Sequence, residues 1–393
     1  MSSMIVPKGE PRRSVFIVAG EASGDLHGAN LVCEMKKLDP ALTFSGVGGK
    51  RLEAEGVHLV ARSADMAVVG ITEVFTKIRF ILGIFSRIRK MLREEKPDLL
   101  VLIDYPDFNL RLAAVAKNSG VPVFYYISPQ VWAWRKGRVK QIRRIVDRMA
   151  VILPFEKAFY AERDFHADFV GHPLLDVVKR SRSRKQALND FGLFEKHPIV
   201  ALLPGSREKE VKSLLPVMLG ASVLLKEKYP DAQFILPLAE TVDAHMVEQI
   251  LQASPPPVKI ISGQTYDAVG LADVALVTSG TATLETALLE IPMVIVYRIS
   301  ALTAAIGKRL IRLAHIGLVN IIAGKTLVPE LIQEDATAVR LAREALKILA
   351  DSDLRQAILA GLTEMRHRLG EPGASQRAAQ VALQVMEKHR FNR

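Results

Sequence analysis

Short apolar runs alternate along this chain with stretches in which apolar residues recur every three or four positions. Ser14–Ala19, Thr43–Val47, Leu99–Asp104, Val121–Ile127 and Arg148–Leu153 read as one series of strands. Ile199–Leu203, Gln233–Pro237, Val258–Ile261, Val274–Thr278 and Met293–Tyr297 read as a second. Helical period marks Ala29–Lys37, Val74–Leu92, Arg111–Asn118, Val211–Lys228 and Thr283–Glu290 between them. Strands alternating with helices predict right-handed βαβ units and parallel sheets. The central strands are apolar throughout, as expected of strands covered on both faces. The expected fold class is α/β: two doubly wound parallel-sheet domains and a helical C-terminal tail.

The charged, serine-containing stretch Val177–His197 separates the two series and carries no strand pattern, which puts a domain boundary near 176. The expected division is 1–176, 177–370, and a final segment 371–393 set off by Gly370-Glu371-Pro372-Gly373. After Leu327 the pattern is helical only. The last helix, Ser375–Arg390, is expected to pack on the N-terminal domain or on a partner chain. A length of 393 residues suits two domains, and 49% hydrophobic residues allow two cores. The single cysteine, Cys33, excludes an internal disulfide framework, fits a reducing compartment and is expected to act as a small buried apolar group. The polar N-terminus leads into Val15–Ala19, which is too short for a signal-peptide core. The longest uncharged run, Asn118–Trp134, is interrupted by Pro122 and Pro129 and does not read as a membrane span. A cytoplasmic protein is the expectation.

A formal net charge of +11 suits an anionic partner: a phosphate ligand, an acidic membrane surface or nucleic acid. Lys77, Arg79, Arg87, Arg89, Lys90 and Arg93 form one basic cluster, and Arg135, Lys136, Arg138, Lys140, Arg143, Arg144 and Arg148 a second. No nucleic-acid motif accompanies either, and solvated helix faces are the plainer reading of both. In 73–94, Val74, Ile78, Ile81, Phe85, Ile88 and Leu92 form an apolar stripe edged by these cations. That is the pattern of a helix lying in a membrane interface, and also of a core helix with a basic outer side. With the apolar run Met66–Thr72 before it, segment 66–93 could hold an acyl chain.

Four turns carry candidate chemistry. Gly20-Glu21-Ala22-Ser23-Gly24-Asp25 follows the first strand; it lacks the three-glycine dinucleotide spacing, and its acids would repel a pyrophosphate. Asp104 ends the strand before Tyr105-Pro106-Asp107-Phe108-Asn109, where a carboxylate could accept a proton from an attacking hydroxyl. Asp107 and Asn109 are the better candidates for capping the following helix. Pro204-Gly205-Ser206-Arg207 sets an arginine, suited to phosphate, before another helix. Ser279-Gly280-Thr281-Ala282-Thr283-Leu284-Glu285 fits a nucleoside diphosphate, with phosphates at the helix N-terminus by Gly280 and Thr281 and ribose at Glu285; a capping box uses the same residues. A fifth loop, Ser128–Arg135, holds both tryptophans, Trp132 and Trp134, and suits a sugar or lipid phosphate or plain packing. The nine histidines include no His-x-x-x-His pair, and Asp351-Ser352-Asp353 reads as a helix start.

GEASGD at 20–25, IDYPDFN at 103–109, SPQVWAWR at 128–135, LPFE at 153–156, GHP at 171–173, LPGSR at 203–207 and SGTATLE at 279–285 occur in this order. Together they resemble the lipid-A-disaccharide synthase family across nearly the whole chain; SGTATLE alone is shared with other nucleotide-sugar enzymes. The resemblance implies a GT-B glycosyltransferase with two Rossmann-like domains facing across a cleft. It implies transfer of 2,3-diacylglucosamine from UDP-2,3-diacylglucosamine to the 6-hydroxyl of 2,3-diacylglucosamine 1-phosphate. The products are a β-1,6 disaccharide 1-phosphate and UDP, formed with inversion and without a metal or other cofactor. It further implies a peripheral position on the inner membrane and dimers formed through the C-terminal region. Matched by motif, Asp104 becomes the base, with Glu21, Ser23, Asp25, Asp107, Trp134 and Arg135 on the acceptor side. Arg207, Gly280, Thr281, Glu285, Asn320, Gln333 and Glu334 fall on the donor side; Val319 stands where many relatives have Pro. A soluble enzyme like the UDP-N-acetylglucosamine 2-epimerases would share the UDP site but have no use for the apolar, basic segment 66–93.

Overall fold

The computed structural model describes residues 13–66, 74–134, 136–252, 256–298 and 315–391. The chain forms two compact units, one of Met1–Pro173 with Glu371–Arg393 and one of Leu174–Gly370. In the first, β1 (Ser14–Ala19), β2 (Thr43–Gly48), β3 (His58–Arg62), β4 (Leu99–Ile103), β5 (Val123–Tyr126), β6 (Arg148–Val151) and β7 (Ala167–Phe169) form a parallel sheet in the order β3-β2-β1-β4-β5-β6-β7. The second holds β8 (Ile199–Leu203), β9 (Gln233–Leu238), β10 (Val258–Ser262), β11 (Val274–Thr278), β12 (Met293–Tyr297) and β13 (Glu330–Ile332), in the order β10-β9-β8-β11-β12-β13.

Both sheets start in the middle, build to one edge and then cross back. This is the Rossmann-like order, whose ligand crevice opens at the carboxyl ends of the two strands where the winding reverses. Those strands are β1 and β4 in one unit and β8 and β11 in the other. Ala19 stands opposite Ile103, and Leu203 opposite Val277, so in each unit the two following turns begin side by side.

Three strands differ from the sequence expectation. β3 is a half-exposed edge strand whose apolar part is only Leu59-Val60-Ala61, while β7 and β13 span three residues each, too few to show a period. β13 corrects the reading of everything after Leu327 as helical. Its pairing with β12 extends the second sheet.

The first sheet is covered on both faces. On one, Ile84, Ile88 and Leu92 of helix Val74–Glu94 pack with Phe108 and Leu112 of helix Pro106–Asn118. On the other, helix Ala374–Phe391 inserts Ala378, Ala379, Ala382, Val385 and Met386 among Val15, Ile17, Val32 and Phe124. Arg377 ties this helix further, donating from Nε to the Val170 oxygen at 2.9 Å. Small alanines allow the close approach. Removing the C-terminal helix would uncover this whole face of the sheet. Cys33 is only half-buried, short of the buried site expected for it.

Most of the stripe on helix Val74–Glu94 therefore faces this unit's own core, while Phe80 and Leu82, 46% and 55% exposed, point outward among Arg79, Arg87 and Arg89. Residues 67–73 of the expected membrane segment lie outside the described residues. The second basic cluster is partly paired, Arg138 with Asp107, Arg143 with Asp164 and Arg148 with Asp168. Among the described residues no helix is long and apolar enough to cross a membrane.

Candidate active site

At the β1/β4 switch point, Asp104 and Tyr105 are consecutive residues in the left-handed region, with φ of 44° and 46°. Non-glycine residues rarely adopt this conformation, and it concentrates at functional sites. The Tyr105 ring lies on Gly20: a Cβ there would sit 2.4 Å from Tyr105 Cγ, so the first turn needs glycine. Behind the turn, Asn109 Nδ2 donates to the main-chain oxygens of Ile103 at 3.1 Å and Asp104 at 2.7 Å. Tyr125 Oη donates to the same Asp104 oxygen at 2.5 Å. Burial, with the Glu21 carboxylate adding to it, pushes the Asp104 carboxyl up to about 6. A carboxylate tuned toward neutrality beside a second acid has the properties of a general base.

Next along the sheet edge, the loop after β5 is held by a buried carboxyl. Glu156 Oε1 accepts from Trp132 Nε1 at 3.2 Å and its Oε2 from the Leu153 N–H at 3.1 Å. Burial pushes Glu156 up to about 8. Trp132 packs edge-on against Phe155 at 4.9 Å, and Ser128 bonds the Tyr160 hydroxyl at 2.7 Å. Motif LPFE contained Glu156, but nothing local in the sequence signalled that its partner was an indole in another motif.

In the second unit, β8 ends in a turn with Gly205 at φ 124°, and helix Glu208–Lys228 starts after Arg207. Glu210 reaches back to accept from the Ser206 N–H at 3.2 Å and from Arg207 Nη1 at 2.8 Å. Arg207 stays 69% exposed in that pair, so its guanidinium can still meet an anion. After β11, Gly280 (φ 145°) is the cap residue of helix Thr281–Leu288, with no side-chain capping bond. The capping-box alternative is therefore not formed. Thr283 instead donates its hydroxyl to the Gly280 oxygen at 2.8 Å, and Thr281 is exposed at the helix start. Glu285, half-buried one turn on, accepts from Tyr266 Oη at 3.1 Å, and burial raises its carboxyl above the usual range. An exposed helix N-terminus, an arginine and a carboxylate one turn along are what a nucleoside diphosphate requires. Among the described residues, no three His, Cys, Asp or Glu side chains are grouped to hold a metal ion.

A family model described as lipid-A-disaccharide synthetase matches residues 15–385. The chain belongs to the lipid-A-disaccharide synthetase family. A lipid-A-disaccharide synthase from Syntrophus aciditrophicus (strain SB) is 57% identical over 375 residues, 95% of this chain and 98% of that protein. One from Geobacter metallireducens is 49% identical over 97% of this chain and 99% of its own length. Among solved structures, the UDP-GlcNAc 2-epimerase from Neisseria meningitidis bound to UDP-GlcNAc is similar with a TM-score of 0.61 at 13% identity, covering 95% of this chain and 100% of that one. The glycotransferase of kitacinnamycin is similar at 0.63 and 15%, with the same coverage. At such identities these two likenesses establish the GT-B fold alone.

Within the lipid-A-disaccharide synthetase motifs, the structure brings Glu21 and Asp104 together and leaves Ser23 exposed nearby on the first helix turn. Asp25 is turned elsewhere: its buried carboxylate accepts the N–H groups of Gly49 at 2.6 Å, Arg51 at 3.0 Å and Leu52 at 3.2 Å, capping helix Lys50–Ala54 from a distance. Asp107 pairs with Arg138 at 2.5 Å. The Trp134 side chain and all of Arg135 lie outside the described residues. Asn320, expected toward the donor, is fully buried and used internally. Its Oδ1 accepts from the Leu327 and Val328 N–H groups at 2.8 and 3.0 Å, and its Nδ2 donates to the Val328 oxygen and Glu330 Oε1 at 2.8 and 2.7 Å. Val319 is buried at the second position of helix Leu318–Ala323, where no intrahelical N–H bond is due, so the Pro of many relatives would cost no hydrogen bond there. Gln333 and Glu334 follow β13 on the same carboxyl edge as the Gly280 turn, with Gln333 at φ 54°.

Proposed function

We propose that this chain is a lipid-A-disaccharide synthase: it transfers 2,3-diacylglucosamine from its UDP derivative to the 6-hydroxyl of 2,3-diacylglucosamine 1-phosphate and releases UDP. The observation that carries the reading is the family match over residues 15–385, joined to an acid-tuned Asp104 at a sheet switch point. The acceptor is assigned to the first unit, where Glu21 and Ser23 are exposed beside the Asp104 turn and Asp25 and Asn109 shape the turns.

The donor is assigned to the second unit, with the diphosphate at Arg207 and the helix starting at Thr281, and the ribose at Glu285. Gln333 and Glu334 border that donor side, and Asn320 supports it from beneath. Asp104 takes the proton as the acceptor oxygen attacks the anomeric carbon in line, which inverts that centre. Arg207 and the helix dipole stabilise the departing UDP as preorganised electrostatics, so no metal is required for that task. Phe80, Leu82 and the cations around them support a peripheral membrane contact. A dimer through the C-terminal region remains part of the proposal.

Mass spectrometry of a reaction containing both acylated sugars tests this reading. The expected product is one disaccharide monophosphate per UDP. An epimerised UDP-sugar formed without acceptor would support the epimerase-like alternative instead.

A further inference from the structure

The turn that presents Asp104 is held from behind by two buried polar side chains. Asn109 and Tyr125 are both fully buried, and both donate to the main-chain oxygen of Asp104. Asn109 sits in the first turn of helix Pro106–Asn118 but does not cap it. Instead its amide reaches back to the two carbonyls of residues 103 and 104, leaving its own Oδ1 buried without a partner. Asn109 is the fourth residue of the helix and its own N–H already bonds the Tyr105 oxygen at 3.0 Å, so its side chain has no capping task and is free to hold the turn. The bonds secure Asp104 and Tyr105 at φ of 44° and 46°. If that constraint were removed, the backbone would relax toward negative φ and swing the Asp104 Cβ to the other side of the chain.

We propose that Asn109 and Tyr125 are positioning residues that lock the left-handed turn and thereby aim the Asp104 carboxylate at the acceptor hydroxyl. This rests on the reading of Asp104 as the base. The groups facing Asp104 are Glu21 and Tyr105 from the adjoining turns and Tyr125 from the neighbouring strand, with Asp107 beyond Tyr105 and Arg138 beyond Tyr125.

The test compares Tyr125→Phe and Asn109→Ala with Asp104→Asn, and each of the two with Asp104→Asn in double variants. Thermal melting of every variant reports folding, and Tyr125→Phe keeps the ring in the core. Each single variant is expected to lose about tenfold or more in kcat, with KM for both acylated sugars within about threefold. In the Asp104→Asn background the same changes should cost less than about twofold, because no base remains to be aimed. An inactive Asp104→Asn beside fully active Tyr125→Phe and Asn109→Ala overturns the positioning role and leaves the base reading intact. Equal losses with and without Asp104 also overturn it, since a structural defect acts regardless of the base. An active Asp104→Asn overturns the base reading, and the positioning role falls with it.

Discussion

Asp104 and Glu21 confront one another at the carboxyl edge of the first sheet, and burial plus the Glu21 charge lifts the Asp104 carboxyl up to about 6. A base must be ionised to act. The kcat/KM profile should therefore fall about tenfold per pH unit below about 6. Glu21→Gln should move that limb to lower pH but not back to 3.8, because burial is the larger cause. The pH dependence of kcat/KM for wild type and Glu21→Gln checks both points; an unmoved limb would separate Glu21 from the base.

The same shift makes Asp104 a liability to the fold. Its folded pKa exceeds its unfolded value of 3.8, so the folded state is favoured at low pH and the penalty grows as pH rises toward about 6. Above that the penalty is complete, at most about 3 kcal/mol. Asp104→Asn should thus lose ~10²–10⁴-fold in rate while melting several degrees higher at pH 7.5. Paired activity and melting measurements decide this, and a variant that is both slower and less stable would contradict it.

Asn320 should behave as a staple of the second unit. Asn320→Ala removes four internal hydrogen bonds and leaves the Leu327 and Val328 N–H groups to find new partners. The expected cost is about 3 kcal/mol or more. Denaturant unfolding measures it. A variant of wild-type stability that binds UDP much more weakly would return Asn320 to a direct donor role.

What the sequence made legible follows from where each partner lies. The switch-point turns could be read because β1, β4, β8 and β11 are largely apolar runs followed by Gly20, Asp104, Pro204 and Ser279-Gly280. Asp104, Arg207 and Glu285 could be named because each stands at a fixed short offset from such a strand or helix start. Asp25 looked like a ligand residue because its motif sits at a ligand edge, and Asn320 because it matches a family position on the donor side. Their side-chain oxygens instead accept from backbone N–H groups, 24 to 27 residues away for Asp25 and 7 to 8 for Asn320. No periodicity encodes such a contact. Tyr125 was hidden for the same reason, inside a strand that reads simply as apolar core. β13 was missed because three residues at a sheet edge gain their strand character from pairing with β12, not from their own pattern.

On the donor side, Arg207→Ala should lose about 10²–10³-fold in kcat/KM if the guanidinium stabilises the leaving diphosphate. Glu285→Gln should weaken UDP binding about tenfold, since a neutral amide accepts from ribose hydroxyls less strongly than a carboxylate. Calorimetric titration with UDP and steady-state rates separate the two effects. Unchanged UDP affinity in Glu285→Gln would remove the ribose assignment.

The most direct measurement follows UDP release from UDP-2,3-diacylglucosamine by wild type and Asp104→Asn, with and without 2,3-diacylglucosamine 1-phosphate. The account predicts release only when the acceptor is present, matched one to one by a β-1,6 disaccharide, and reduced at least about a hundredfold in Asp104→Asn. Release at the same rate without acceptor, or a wild-type rate in Asp104→Asn, would contradict it.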